Sequence, residues 1–244
     1  DQQQSQVFVF APDGEALRVL SREGEGPGES RQPEDMVFLP DGSLGLAQYI
    51  NGRIIRIDLD GVPLGTLLPP GYDPEGGGMY SIRRVRSRGG SLVVNGAKVS
   101  PSADGMLRTQ VLVRGNMAGE VEAEILSRAA ASQLVRDGWH EKRNYLPSHE
   151  RWDVDGDGHI LAAPERNDYL IVVYGRDGQP LRSFGRAFTP WRRTDAEKQR
   201  LRDAVTVLRD GQRMDVPVVV EDNEPAVQGV FVRPDGEIWV LPGT

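Results

Sequence analysis

A short turn signal recurs along this chain, and it restricts the fold more than any other feature. Asp-Gly or Gly-Gly pairs stand at Pro12-Asp13-Gly14, Pro40-Asp41-Gly42, Asp60-Gly61, Gly89-Gly90, Asp157-Gly158, Asp177-Gly178 and Pro234-Asp235-Gly236, each beside short apolar runs. Such pairs accept the positive φ angles that tight hairpins need, so each marks two adjacent antiparallel strands. Repetition of the unit along one chain predicts a sheet that copies itself: an all-β fold, above all a β-propeller of four-stranded antiparallel blades with short helical insertions.

The most regular unit runs from about residue 34 to 69. Its strands are Glu34 to Leu39, Ser43 to Ala47, Arg53 to Asp58 and Leu64 to Leu68. A second unit reads as Tyr80 to Arg86, Ser91 to Asn95, Thr109 to Arg114 and Val121 to Leu126. A third reads as Arg151 to Val154, His159 to Ala163, Leu170 to Tyr174 and Pro180 to Phe184. At the ends, Val7 to Phe10 with Leu17 to Leu20 resembles strands three and four of a blade, while Val227 to Val232 with Glu237 to Leu241 resembles strands one and two. Two readings follow. The half-blades zip together and close four blades, or the chain is an excerpt of a larger propeller, which is the favoured reading.

The whole chain of 244 residues reads as one domain, 1–244, with insertions near 127–150 and 186–226. No apolar run approaches the roughly 20 residues that span a bilayer. A net charge of -7, with arginines interspersed among carboxylates, argues against a nucleic-acid surface, which needs clustered cations. Absence of cysteine excludes disulfides and thiolate metal sites without assigning a compartment. The chain opens at Asp1 with neither methionine nor signal peptide, which reads as processing or excerpting.

The stretch Arg22-Glu23-Gly24-Glu25-Gly26-Pro27-Gly28-Glu29, followed by Pro33, Met36-Val37-Phe38, Asp41-Gly42, Asn51-Gly52-Arg53-Ile54 and Asp60-Gly61, resembles the NHL-repeat type of six-bladed β-propeller. The wording is close over this one blade, and the other blades share only turn placement and strand pattern. Gln48 stands where the family usually has Asp, a departure at a structural polar contact. The resemblance implies a six-bladed whole of which about four blades' worth is present. It also implies a bacterial protein that is secreted, periplasmic or lipid-anchored, and it implies no reaction.

Residues 129–135 read as a short helix within the first insertion. In the second, Thr194-Asp195-Ala196-Glu197 is a capping box, with Leu201, Ala204, Val205 and Leu208 following at helical spacing. Both insertions enter an innermost strand. By resemblance to propellers generally, they share the binding face with the loops between strands two and three. Ligand-facing residues expected there are Tyr49, Asn51, His149, Glu165, Asn167, Asp168, Asp222 and Glu224. The acidic run Glu221-Asp222-Asn223-Glu224 has groups suited to holding a metal or to acid and base work, and a solvated loop explains it as well.

Asp153 to Gly158 alternates oxygen ligands as calcium loops do, yet it aligns with the Asp41-Gly42 hairpin and is read as a turn. His140, His149 and His159 form no metal motif. Neither Gly-x-Ser-x-Gly nor Gly-x-x-x-x-Gly-Lys occurs. No catalytic or metal residues and no cofactor are assigned. The expectation is a monomeric, non-catalytic scaffold that binds a protein, peptide or glycan. The alternative is a lactonase-like hydrolase or lyase with a divalent cation at the central channel.

Overall fold

The computed structural model describes residues 5–76, 78–102, 105–131, 138–145, 150–209 and 212–243. β1 (Val7–Phe10) and β2 (Ala16–Ser21) pair as a two-stranded ribbon. β3 (Pro33–Phe38), β4 (Leu44–Gln48), β5 (Arg53–Ile57) and β6 (Pro63–Leu67) form a four-stranded antiparallel meander. A second meander comprises β7 (Met79–Arg88), β8 (Ser91–Ser102), β9 (Gly105–Gly115) and β10 (Val121–Ala131). β11 (Trp139–His140) and α1 (Glu141–Asn144) lead to the third, made of β12 (Trp152–Val154), β13 (Ile160–Ala162), β14 (Leu170–Tyr174) and β15 (Pro180–Gly185). α2 (Asp195–Ala204), β16 (Val207–Arg209), β17 (Gln212–Met214) and β18 (Val218–Val219) follow. β19 (Val227–Val232) and β20 (Ile238–Pro242) then make a second ribbon. The architecture is all-β, with repeated four-stranded antiparallel sheets of the propeller-blade kind.

The turns repeat down to single hydrogen bonds. Ala11, Leu39, Asp58, Asn116, Asp155, Gly175 and Arg233 each donate N–H to the carbonyl four residues on, and each accepts from the glycine three residues on. Those glycines have φ near +80 to +92°. That is a type I turn closed by a left-handed residue, the three-residue hairpin with a glycine bulge. A side-chain oxygen of Asp13, Asp41, Asp58, Asn116, Asp155, Asp177 or Asp235 caps each one. Asp155 caps the amides of Asp157 and His159, so the calcium-like stretch is one more copy of this turn. Gly89-Gly90 differs. It is a two-residue hairpin with both φ positive, joining Arg88 to Ser91.

Four apolar clusters lie between successive sheets. Leu44, Leu46, Ile55 and Ile57 pack beneath Val7 and Leu20 of the first ribbon. Val37, Ile54, Ile82 and Val94 join the first two blades. Leu112, Ile125, Trp152 and Ile160 join the second to the third, and Leu161, Ile171, Val227 and Val230 join the third to the last ribbon. Each of the three four-stranded sheets therefore buries its apolar faces by stacking on its neighbours, the rule for repeat architectures. The innermost strands are also stitched by carboxylates. Asp35 on β3 accepts from the Val85 amide of β7 at 2.8 Å, and Asp153 on β12 accepts from the Val232 amide of β19 at 2.8 Å.

The two ribbons remain separate sheets, so of the two readings for the ends the zipped fourth blade, the less favoured, is not seen. Two expectations change. Ala129, Ala130 and Ala131 continue β10 against Thr109, Arg108 and Leu107 instead of starting a helix, because the long β8–β9 hairpin offers them a ladder. The remainder of that predicted helix, 132–135, lies outside the described residues. α2 keeps its predicted capping box but ends at Ala204, and Leu208 belongs to a strand. The departure at Gln48 keeps its polar role: the buried side chain donates to the Arg31 carbonyl at 3.0 Å and accepts from Arg53.

Trp152 is fully buried between the second and third blades. Trp152→Ala is expected to lower unfolding stability in urea by about 3–5 kcal/mol. A loss under ~1 kcal/mol would show that this junction does not hold the blades together.

Candidate functional site

In an antiparallel meander, the connection into strand one and the loop between strands two and three leave at the same end of the sheet. Contacts bear this out. The Ile82 amide at the start of the second blade bonds to the Tyr49 carbonyl of the first, and the Ala226 amide bonds to the Arg166 carbonyl of the β13–β14 loop. Both insertions emerge at this end.

What holds them is a cluster of four charges. Arg193, in the connection before α2, donates to both oxygens of Glu141 of α1 at 2.6 and 2.9 Å. It also grips both oxygens of Glu224 at 2.7 and 2.9 Å. Arg166 donates to Glu141 at 2.7 Å and to the Asn223 carbonyl at 2.7 Å. The Glu221 amide completes the set by donating to Glu141 at 2.8 Å. Both arginines are buried. Two cations against two carboxylates leave the cluster neutral, and the planar guanidinium forks satisfy the carboxylate oxygens in bidentate fashion, which is what makes burial of such groups tolerable. Burial alone would raise the Glu141 carboxyl. The hydrogen bonds from Arg193, Arg166 and the Glu221 amide outweigh that and hold it below the usual carboxylate range. Around this clamp, β11 pairs in parallel with β18, so the two insertions also share a short sheet.

The expected ligand residues divide. Glu224 is an arm of the clamp, and Asp222 is paired with Lys198 of α2 at 3.0 Å. Tyr49 lies beneath the Arg83 guanidinium, 4.0 Å from its ring centre, while Arg83 pairs with Glu34 at 2.9 Å. Asn51 takes a left-handed backbone, φ 66°, in the β4–β5 turn, and its role there is conformational. His149 lies outside the described residues. Glu165, Asn167 and Asp168 are exposed on the β13–β14 loop. This loop meets the acidic run as expected, but through Arg166 and backbone groups. Tyr49 and Asn51 stand apart from it, on the first blade.

Asn167 and Asp168 border an open groove of about 430 Å³ with Tyr169, Arg186 and Phe188. Tyr169 and Phe188 form a tilted aromatic pair with ring centres 5.7 Å apart, and the Arg186 guanidinium lies 4.7 Å from the Tyr169 ring centre. The opposite end of the third blade carries another group, Asp155, Asp157 and His159, whose ligand atoms lie within 4.8 Å of one another. There Asp155 is occupied by its own turn amides and by His159 Nδ1 at 3.0 Å, and the Asp157 carbonyl accepts from Arg176.

Glu141, Arg166, Arg193 and the aromatic pair were not singled out in the sequence. Nothing local marks an arginine that will be buried, although each insertion does carry arginine near carboxylates.

No protein-family model matches the chain, and no curated protein matches it. A solved structure, a Bacteroides caccae protein of unknown function, is similar at 17% identity and a TM-score of 0.39 over 76% of this chain. The chain spans 56% of that protein's length.

Arg193→Ala would take the buried cation away from two half-buried carboxylates, leaving Glu224 without its guanidinium, and a stability loss of about 3–5 kcal/mol is expected in urea. Because the Glu141 carboxyl is held low in the folded state, its contribution is complete above the unfolded value of about 4.3 and fades as pH falls through the folded one. Stability should therefore drop below that pH more steeply in the parent protein than in Glu141→Gln. Parallel curves would refute the assignment.

Proposed function

We propose that this chain is a non-catalytic, NHL-like propeller scaffold that works outside the cytoplasm as a monomer. It presents the loops at one end of its blades to a protein, peptide or glycan. The stacked blades belong, in this reading, to a six-bladed whole. The resemblance of residues 22–61 to NHL repeats supports the family and the compartment.

One observation carries the functional reading. Glu224 and Asp222, the carboxylates best suited to metal or acid and base chemistry, are engaged by Arg193 and Lys198. A carboxylate gripped at both oxygens by one guanidinium has two of its acceptor sites taken and its orientation fixed within the loop, which leaves it poorly placed to join a cation's ligand shell. A fixed, cross-braced loop surface is what a binding scaffold requires, since loops ordered before binding spend less affinity on ordering.

The test pairs native mass spectrometry and elemental analysis, on protein purified without chelator, with peptide and glycan arrays. The expected result is array binding that survives chelator, with no hydrolysis of lactones or esters. A stoichiometric divalent metal lost in Glu224→Ala, together with turnover of a lactone, would replace this reading with the hydrolase.

A further inference from the structure

The groove at the third blade combines features that the binding reading alone does not require. Arg166 donates from Nη1 to Asn167 Oδ1 at 3.0 Å. A guanidinium can only donate, so the amide must turn its oxygen to Arg166 and offer its two N–H donors elsewhere. The neighbouring Asp168 is exposed, and its carboxylate has no hydrogen-bond or ion-pair partner among the described residues. An aimed donor and an open acceptor thus sit on adjacent residues.

Beside them stand Tyr169 and Phe188. Tyr169 packs on the buried cluster of Leu161, Ile171 and Val173, which fixes the ring, and Phe188 is half-buried against it. Arg186, stacked on Tyr169, brings further donors to the same groove. About 430 Å³ lies within the range of small-ligand sites.

We propose that this groove binds a pyranose unit of a glycan. A sugar ring has an apolar C–H face and a rim of hydroxyls that both donate and accept. The half-buried Phe188 ring, held against Tyr169, matches the first feature. The Asp168 carboxylate, which only accepts, with the N–H donors of the Asn167 amide and of Arg186, match the second. A peptide strand would favour a row of free backbone groups with apolar pockets for alternate side chains, and the groove's borders are polar side chains and rings instead. This assignment rests on the scaffold reading and narrows its ligand to carbohydrate.

The experiment is saturation-transfer NMR on the intact chain with D-glucose, D-galactose, D-mannose, N-acetyl-D-glucosamine and D-glucuronate as separate probes. At least one should receive saturation, with binding weakened about tenfold in Asp168→Ala and in Phe188→Ala. Glu75→Ala, on an exposed loop of another blade, should bind as the parent does. Asp168→Asn keeps the shape and removes the charge, so it should also weaken binding even if Phe188→Ala unfolds. Transfer to none of these sugars overturns the proposal, as does transfer that all the groove variants retain. Array binding confined to peptides would overturn it while leaving the scaffold reading standing. Chelator-sensitive lactone turnover without array binding would overturn both.

Discussion

The three blades and two terminal ribbons share no common ladder, and what fixes one against the next is the coupling of their innermost strands. Asp35 and Asp153 each take a backbone amide of the following sheet, and Arg86 bridges them, at 3.1 Å from Asp35 and 3.4 Å from Asp153. A backbone N–H facing a neighbouring sheet has no strand to pair with, and leaving it unpaired in the interior costs about 1–3 kcal/mol. A carboxylate on the preceding strand removes that cost and sets the spacing between sheets in the same stroke. The apolar clusters then stack at a defined offset, with Arg84 donating to the Trp152 carbonyl at 3.1 Å and lying 5.4 Å from the centre of its ring. Apolar packing alone is tolerant of sliding, whereas a carboxylate aimed at one amide is not.

The insertions face the opposite problem, since they have almost no core to stand on. No residue of α2 is buried, and seven of its ten residues are charged or polar. A helix of this length has little stability by itself. Its capping box satisfies the first amides, and Lys198 ties it to Asp222. The Arg193 and Arg166 clamp does the larger part, joining residues 141, 166, 193 and 224 from four separate stretches of chain. Replacing such a cluster with apolar groups is often neutral for stability, so its value here lies in specifying one arrangement of loops among many.

How much of this was legible depends on the range over which each interaction acts. The turns were readable because an Asp or Asn cap and a left-handed glycine sit at fixed short offsets, and the strands between them inherit their order from the turns. The α2 start was readable for the same reason: Thr194 and Glu197 are three residues apart. Ala129 to Ala131 were misread because alanine is the strongest helix former, yet local propensity is small and an available partner strand outweighs it. The end of α2 was placed too late because Val205 and Leu208 lie on the helical period, while the β-branched residues from Val205 to Val207 favour extended backbone. Glu224 was misread as ligand-facing because its partner, Arg193, lies 31 residues earlier, and no local pattern couples the two.

Arg166 connects the two levels of organisation. Its guanidinium turns inward to Glu141 and the Asn223 carbonyl, while Glu165, Asn167 and Asp168 around it in the bend are exposed, the last two at the groove. The same guanidinium holds the Asn167 oxygen and so decides which face of that amide is presented. The clamp therefore does more than anchor insertions: through one arginine it sets the donor and acceptor pattern that the third blade shows to solvent. A change to Glu141, far from the groove in sequence, would loosen Arg166 and with it the aim of Asn167, while Asp168 and the aromatic pair kept their places. The polar pattern of this groove is in that sense encoded twice, once in the side chains that line it and once in the buried charge that orients them.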